Sequence, residues 1–166
     1  MKIKALLYLL ITLPMVLQAQ DFDDELKGLA EELAQRIDVG KKTKIAVWGF
    51  FSEKNEQTHF GNYLTEDFAI YLANHAENFA MIDRTHLNIV LKEHRLNTEG
   101  YIDEKTTKRL GKILAADALV IGTYTIFDSE IKVRAKVLDT ETALQFAGTI
   151  GTLSMDENIA KLLGKL

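Results

Sequence analysis

The chain has 166 residues, with 20 basic and 24 acidic side chains, a net charge of −4 and no cysteine. The lack of cysteine excludes disulfides, thiolate metal sites and a lipid-modified cysteine. Charges of both signs are interspersed along the sequence, so nothing indicates a basic surface for nucleic acid, and we expect no nucleic-acid partner.

The N-terminus has the pattern of a cleavable secretion signal. Lys2 and Lys4 precede an apolar run from Ala5 to Leu13, and Pro14 follows it. This run is shorter than the roughly 20 residues that a membrane-spanning helix needs. A small residue, Ala19, offers a cleavage site.

We therefore expect residues 1–19 to be a signal peptide and residues 20–166 to form a single domain. Removal of Lys2 and Lys4 leaves 18 basic and 24 acidic side chains, a net charge of −6. The remaining stretch is long enough for one domain with a sizeable core.

Helices and strands alternate in the first half of the predicted domain. Apolar residues at steps of three and four predict a helix over 21–38, and a second helix is predicted over 59–76. The stretch 44–51 is almost continuously apolar, which is typical of a strand covered on both faces, and it contains Trp48, which we expect to be buried. A short strand is predicted at 79–83.

The second half begins with helices and ends with consecutive strands. Thr85 is a plausible N-cap for one helix, and Asp103 for the next, over 104–115. Ile131 to Val137 alternates strictly between apolar and polar residues, as a strand with one solvent-facing side does. The predicted strands are 118–127, 131–137 and 145–153, and a last helix is predicted over 155–166.

This order predicts an α/β fold built on a mixed sheet of about five strands. Strands separated by helices favour parallel pairing. Strands separated by short turns favour an antiparallel C-terminal meander. Helices then pack on the sheet.

No constellation of catalytic residues is visible. The histidines at 59, 75, 86 and 94 do not form a zinc-hydrolase motif, and a nucleophile elbow and a phosphate-binding loop are both missing from the sequence. We therefore expect a protein that is not an enzyme and needs no cofactor or metal.

Asp83 and Arg84 are the polar pair that most suggests a site, because they lie where the second predicted strand ends and a helix begins. A recognition site is one interpretation. The favoured one is structural, with Asp83 accepting hydrogen bonds from backbone amides and Arg84 pairing with a carboxylate, because such junctions leave backbone donors to be satisfied.

Several segments together resemble one known group. They are KIAVWGF at 44–50, FGNYLTEDF at 60–68, FAMIDR at 79–84, LKE at 91–93 and LGKILAADALVIGTY at 110–124. In this order they are similar to the FlgO/CsgG-type bacterial cell-envelope domain family, related to curli-secretion proteins and penicillin-binding-protein activators. The resemblance covers about residues 26–153.

The positions that carry this resemblance are expected to be structural rather than catalytic. Gly61 would let a loop turn closely into a helix, Gly111 would let a helix approach the sheet, and Gly122 would admit a tightly packed neighbour. Asp117 would cap or bond a turn. The full set is Phe50, Gly61, Glu66, Asp83, Arg84, Glu93, Gly111, Asp117 and Gly122.

The resemblance implies a non-enzymatic exported protein, periplasmic or outer-membrane-associated, that serves as an assembly or interaction factor for a surface or secretion apparatus. Its partner would be another envelope protein or a second copy of itself. The related proteins are anchored to membranes by lipidated cysteines. Because this chain has no cysteine, we expect membrane association only through a partner. The alternatives are a subunit of a curli-type secretion channel or ring, and a periplasmic domain that binds or hydrolyses a small ligand.

Overall fold

The computed structural model describes residues 21–83, 87, 89 and 102–165. The predicted signal peptide at 1–19, the helix start at Thr85, and two motif residues, Arg84 and Glu93, lie outside the described residues. The described elements are α1 (Phe22–Val39), β1 (Lys44–Ser52), α2 (His59–Asn74), β2 (Ala80–Met81), α3 (Glu104–Leu114), β3 (Ala118–Ile126), β4 (Glu130–Asp139), β5 (Gln145–Ser154) and α4 (Glu157–Leu162).

The five strands form one sheet in the order β2-β1-β3-β4-β5. β1 is parallel to both β2 and β3, whereas β3, β4 and β5 are antiparallel neighbours. The predicted α/β class and the change from parallel to antiparallel pairing are confirmed. Strand β3, between β1 and β4, is where the two kinds of pairing meet.

Helices α1 and α2 cover one face of the sheet. Leu26 and Leu33 of α1 and Leu64 and Phe68 of α2 are completely buried against this face. α1 comes close to β5 at Gly151, where an added Cβ would lie 2.5 Å from Leu29 Cδ2. This layer therefore extends to the edge strand β5.

A second and smaller apolar cluster lies on the other face. Leu110 of α3 and Leu87 pack there against residues of β1 and β3, among them Trp48, which is 4% exposed. The predicted burial of Trp48 is confirmed. Strand β1 is thus covered on both sides, as its continuous apolar sequence indicated.

Two elements are shorter than the sequence predicts. β2 pairs over only two residues, at Lys44↔Ala80 and Ile45↔Met81. The last helix begins at Glu157 instead of Met155 because Asp156 is its N-cap and accepts a hydrogen bond from the Ile159 amide at 2.7 Å. Within the described part of the chain, no helix combines the length and apolarity needed to cross a membrane.

Candidate functional site

Three motif residues meet where β1 passes into α2. An added Cβ at Gly61 would lie 2.4 Å from the Phe50 carbonyl oxygen, and one at Gly122 would lie 2.0 Å from Phe50 Cδ1. The Phe50 amide donates a hydrogen bond to Thr65 Oγ1 (2.9 Å), and that hydroxyl donates to the Gly61 carbonyl (2.6 Å). These are packing and backbone contacts of a buried junction.

Two further motif residues lie at the opposite end of the sheet. Asp117 Oδ2 accepts hydrogen bonds from the amides of Thr43 and Lys44, both at 3.0 Å, and from Thr43 Oγ1 at 2.7 Å. The Thr43 hydroxyl is the main cause that holds the pKa of Asp117 below its ordinary value. Asp117 therefore ties the start of β1 to the start of β3, and Gly111 of α3 comes close to Thr140 beside it.

The turn between β4 and β5 is fixed at the same end of the sheet. Asp139 Oδ1 accepts hydrogen bonds from the amides of Glu141 (2.9 Å) and Thr142 (2.8 Å), and its other oxygen pairs with Lys42. Burial raises the pKa of Asp139, but the hydrogen bonds from Lys42 and Thr142 outweigh it and lower that pKa to about 2. The carboxylate is thus held ionised by its structural partners.

The remaining described motif residues lie apart from these two clusters. Glu66 is exposed on α2, and Asp83 is exposed after β2. The Asp83 carbonyl accepts a hydrogen bond from the Leu87 amide at 3.0 Å. The described motif residues are therefore not brought together into one site.

A different surface stands out on the second face of the sheet. There α3 and Leu87 pack over β1 and β3, while Arg134 and Lys136 of β4 are exposed and Lys132 is half-buried. We call these three residues the basic stripe. They lie on alternate positions of one strand, so the first and last are about 13 Å apart.

The cross-strand neighbours of the basic stripe carry no charge. Lys132 lies between Thr125 and Thr152, and Arg134 lies between Thr123 and Ile150. Lys136 lies between Ile121 and Gly148. Opposite charges across strands would offset the stripe, but none of these neighbours provides one.

A shallow groove of about 630 Å³ borders the stripe and includes Arg134, Lys136, Phe146 and Ile150; the Glu32–Arg36 ion pair of α1 also lines it. Ile150 is 56% exposed, so the surface joins cationic and apolar groups. The alternation of Ile131–Val137 predicted a solvent-facing side for this strand. All three polar residues of this stretch are basic, and this was the signal in the sequence that could have revealed the stripe. No described helix covers this side of β4, and the sequence alone could not show this because it depends on the tertiary fold.

Metal binding finds no support in the described ranges, where no group of three His, Asp or Glu side chains is placed to hold a metal ion. His75 Nδ1 lies 2.8 Å from the Tyr71 carbonyl, one turn earlier in α2. His86 and His94 lie outside the described residues.

Comparison with known proteins identifies the family. Residues 29–138 match the family model described as curli production assembly/transport component CsgG. The chain belongs to the CsgG family. This confirms the resemblance inferred from the sequence and supports a role in assembly or protein interaction at the cell envelope. No curated protein matches the chain significantly.

Solved structures show the same fold as this CsgG-family chain at low sequence identity. The C-terminal domain of LpoB from Salmonella enterica matches with a TM-score of 0.64 and 12% identity, over 82% of this chain and 100% of that one. The same domain from Escherichia coli has a TM-score of 0.63, 11% identity and the same coverage. Lipoprotein GNA1162 from Neisseria meningitidis has a TM-score of 0.58 and 14% identity, over 74% of this chain and 88% of that one.

Proposed function

We propose that this chain is an exported, non-enzymatic protein of the periplasm or the outer-membrane periphery that binds another envelope protein during assembly of a surface or secretion apparatus. Membership of the CsgG family supports the assembly role. The signal-like pattern at residues 1–19 supports export. The observation that carries the binding role is the basic stripe, on the part of the sheet that no described helix covers.

The partner surface is acidic. The stripe is a local concentration of positive charge on a chain whose net charge is −4. Among the described residues its cross-strand neighbours carry no charge, and exposed Ile150 beside it adds apolar area. A complementary acidic patch would speed association and orient the complex, with a strong dependence on salt.

Charge reversal of the stripe tests this proposal. The variant Lys132→Glu/Lys136→Glu should lose the cross-linked partner that the unchanged chain recovers from envelope fractions. Both side chains point away from the core, so the variant should fold. Lys27→Glu/Lys161→Glu is the matched control, because both lysines are exposed on helices away from the stripe.

The control should recover the same partner, and raised ionic strength should weaken recovery by the unchanged chain. Equal recovery by the stripe variant and the control contradicts a role of the basic stripe in binding the partner.

Fractionation tests export separately: the chain should be found in the envelope, with an N-terminus generated near Ala19. A full-length chain in the cytoplasm contradicts export.

The transport part of the family description favours a second candidate, a subunit of a secretion channel or ring. Molecular mass distinguishes the two, since a ring subunit assembles into many copies and sediments with membranes. A small assembly found in the soluble envelope fraction supports the first candidate.

A further inference from the structure

The two faces of the sheet are covered unequally. On the first face α1 extends the helical layer to β5, where an added Cβ at Gly151 would meet Leu29. On the second face α3 and Leu87 pack over β1 and β3. Among the described residues no helix lies over the basic stripe or over exposed Ile150 on this face, although helices commonly cover both faces of an α/β sheet.

The strip that β4 and β5 form on this face has room for one helix. Neighbouring strands lie about 4.8 Å apart, so two strands present a strip about 10 Å wide. An α-helix with its side chains is about 10–12 Å across. A second sheet packed face to face buries an inner face several strands wide, which is more than this strip provides.

A helix also suits this face because it satisfies its own backbone. The face of a sheet presents side chains, and the N–H and C=O groups of β4 are engaged with β3 and β5. A single extended segment lying on this face would leave its own N–H and C=O groups without partners, whereas a helix pairs them internally.

The spacing of the basic stripe matches the spacing of one side of a helix. Lys132, Arg134 and Lys136 occupy alternate positions of β4, at steps of about 6.7 Å. Residues i and i+4 of a helix are about 6 Å apart along its axis. Acidic residues at positions i, i+4 and i+8 of a helix that runs along β4 would therefore each face one cation.

Negative charge marks one end of the strip. Glu130 is exposed at the start of β4, on the position before Lys132 in the same alternating row. Its cross-strand neighbour is Ser154, whose amide and hydroxyl donate hydrogen bonds to Glu25 of α1. An acidic row on a partner is therefore favoured over Lys132, Arg134 and Lys136 and is repelled beyond Lys132.

The groove beside the stripe adds an apolar side to this surface. Phe146 and Ile150 are exposed there, and Gly148 contributes no side chain between them. Glu32 and Arg36 of α1 also line the groove and pair with each other, one charge of each sign. An apolar residue of a partner can therefore pack against Ile150 while its acidic neighbours face the stripe.

We propose that the partner places an acidic amphipathic helix along β4, with carboxylates at steps of four over the basic stripe and an apolar side chain against Ile150. Bound in this way, the helix lies beside α3 and completes the second helical layer of the sheet. This inference rests on the proposed function, because it specifies the structure that carries the acidic surface of the partner.

Photo-cross-linking from both ends of the stripe tests for the helix. A photoreactive residue replaces Lys132 in one variant and Lys136 in another, in cells that make the full chain, and mass spectrometry identifies the modified residues of the partner. Positions 132 and 136 are about 13 Å apart, which a helix spans with about eight or nine residues. We expect the two modified residues to lie at about this separation in one segment of the partner.

The other outcomes separate this inference from the proposed function. An extended strand spans 13 Å with about four residues. Modified residues about four apart, or in separate segments of the partner, overturn the helix and leave the proposed function standing. The absence of adducts from both positions contradicts the proposed function and the helix together.

Ile150→Ser tests the apolar side of the helix. Loss of this side chain should lower the yield of the adduct from position 136 several-fold, because burial of an isoleucine side chain stabilises the complex. Ile70→Ser is the matched control, since Ile70 is exposed on α2, on the first face of the sheet, and it should leave the yield unchanged. Thermal unfolding checks that both variants are folded, and equal yields from the two would overturn the apolar contact at Ile150.

Discussion

Phe50 is the residue around which β1, β3 and α2 come together. Its carbonyl meets the backbone at Gly61, its ring meets β3 at Gly122, and its amide bonds to Thr65. The ring also packs edge-on against Phe68 at 4.9 Å between centroids. A change at any of these positions therefore acts on the same buried contact.

Gly122→Ala should lower the free energy of unfolding by about 1–3 kcal/mol, because the new methyl group overlaps the Phe50 ring. Gly28→Ala adds the same group on α1 where no atom lies within 4 Å. It should raise stability by about 0.5–1 kcal/mol through helix propensity. Urea unfolding of both variants is the measurement, and equal stabilities would show that Gly122 has no packing role.

Asp139 should give the fold a component of stability that depends on pH. Its folded-state pKa of about 2 lies below the ordinary 3.8, so its contribution is complete above pH 4 and is lost as pH falls toward 2. Asp139→Asn should cost about 1 kcal/mol at pH 7, and its deficit relative to the unchanged chain should shrink as pH falls through this window.

Urea unfolding at pH 7 and at pH 3 measures this change. Asp128→Asn, in the exposed turn between β3 and β4, is the control and should show no such convergence. A deficit for Asp139→Asn that is equal at the two pH values would contradict the role of the carboxylate.

At the scale of elements, β1 has helical layers on both sides. Trp48, the only tryptophan of the chain, is 4% exposed in the layer formed with α3. Its fluorescence should have a blue-shifted maximum and resist quenching by iodide. Leu110→Ala in α3 should shift the emission to the red, whereas Ile70→Ala on the other layer should not. A solvent-like maximum in the folded chain would contradict this packing.

Local sequence patterns predicted most of the elements. Strand β1 was predictable because it is continuously apolar, and β4 because its residues alternate. The length of β2 was not, since only two of the residues predicted at 79–83 find partners, in Lys44 and Ile45 of β1. Pairing between β1 and β3, such as Ile45↔Ala118, depends on contacts distant in sequence and has no local signal.

The candidate surface was less accessible to sequence reasoning than the fold. The motif residues around Phe50 and Asp117 were visible, and the structure places their contacts in the interior and at turns. The residues of the basic stripe, Lys132, Arg134 and Lys136, occupy alternate positions of β4 and were visible in the sequence. Its significance depends on which face of β4 the helices cover, and only the tertiary arrangement determines that.

Over the whole molecule, charge is unevenly distributed. Burial and the neighbouring carboxylates of Asp21, Asp67 and Asp156 raise the pKa of Asp23. These carboxylates form an acidic region near the N-termini of α1 and α4 and beside α2. The basic stripe lies on the other face of the sheet. An acidic partner is therefore attracted to one side and repelled from the other.

The most direct test of the proposed function is site-specific photo-cross-linking in intact cells. A photoreactive residue at Lys136, on the stripe, should yield an adduct with another envelope protein. The same residue at Lys27, on the helical side, should not yield that adduct. If position 136 gives no adduct, or both positions give the same ones, then the basic stripe is not where this CsgG-family chain binds its partner.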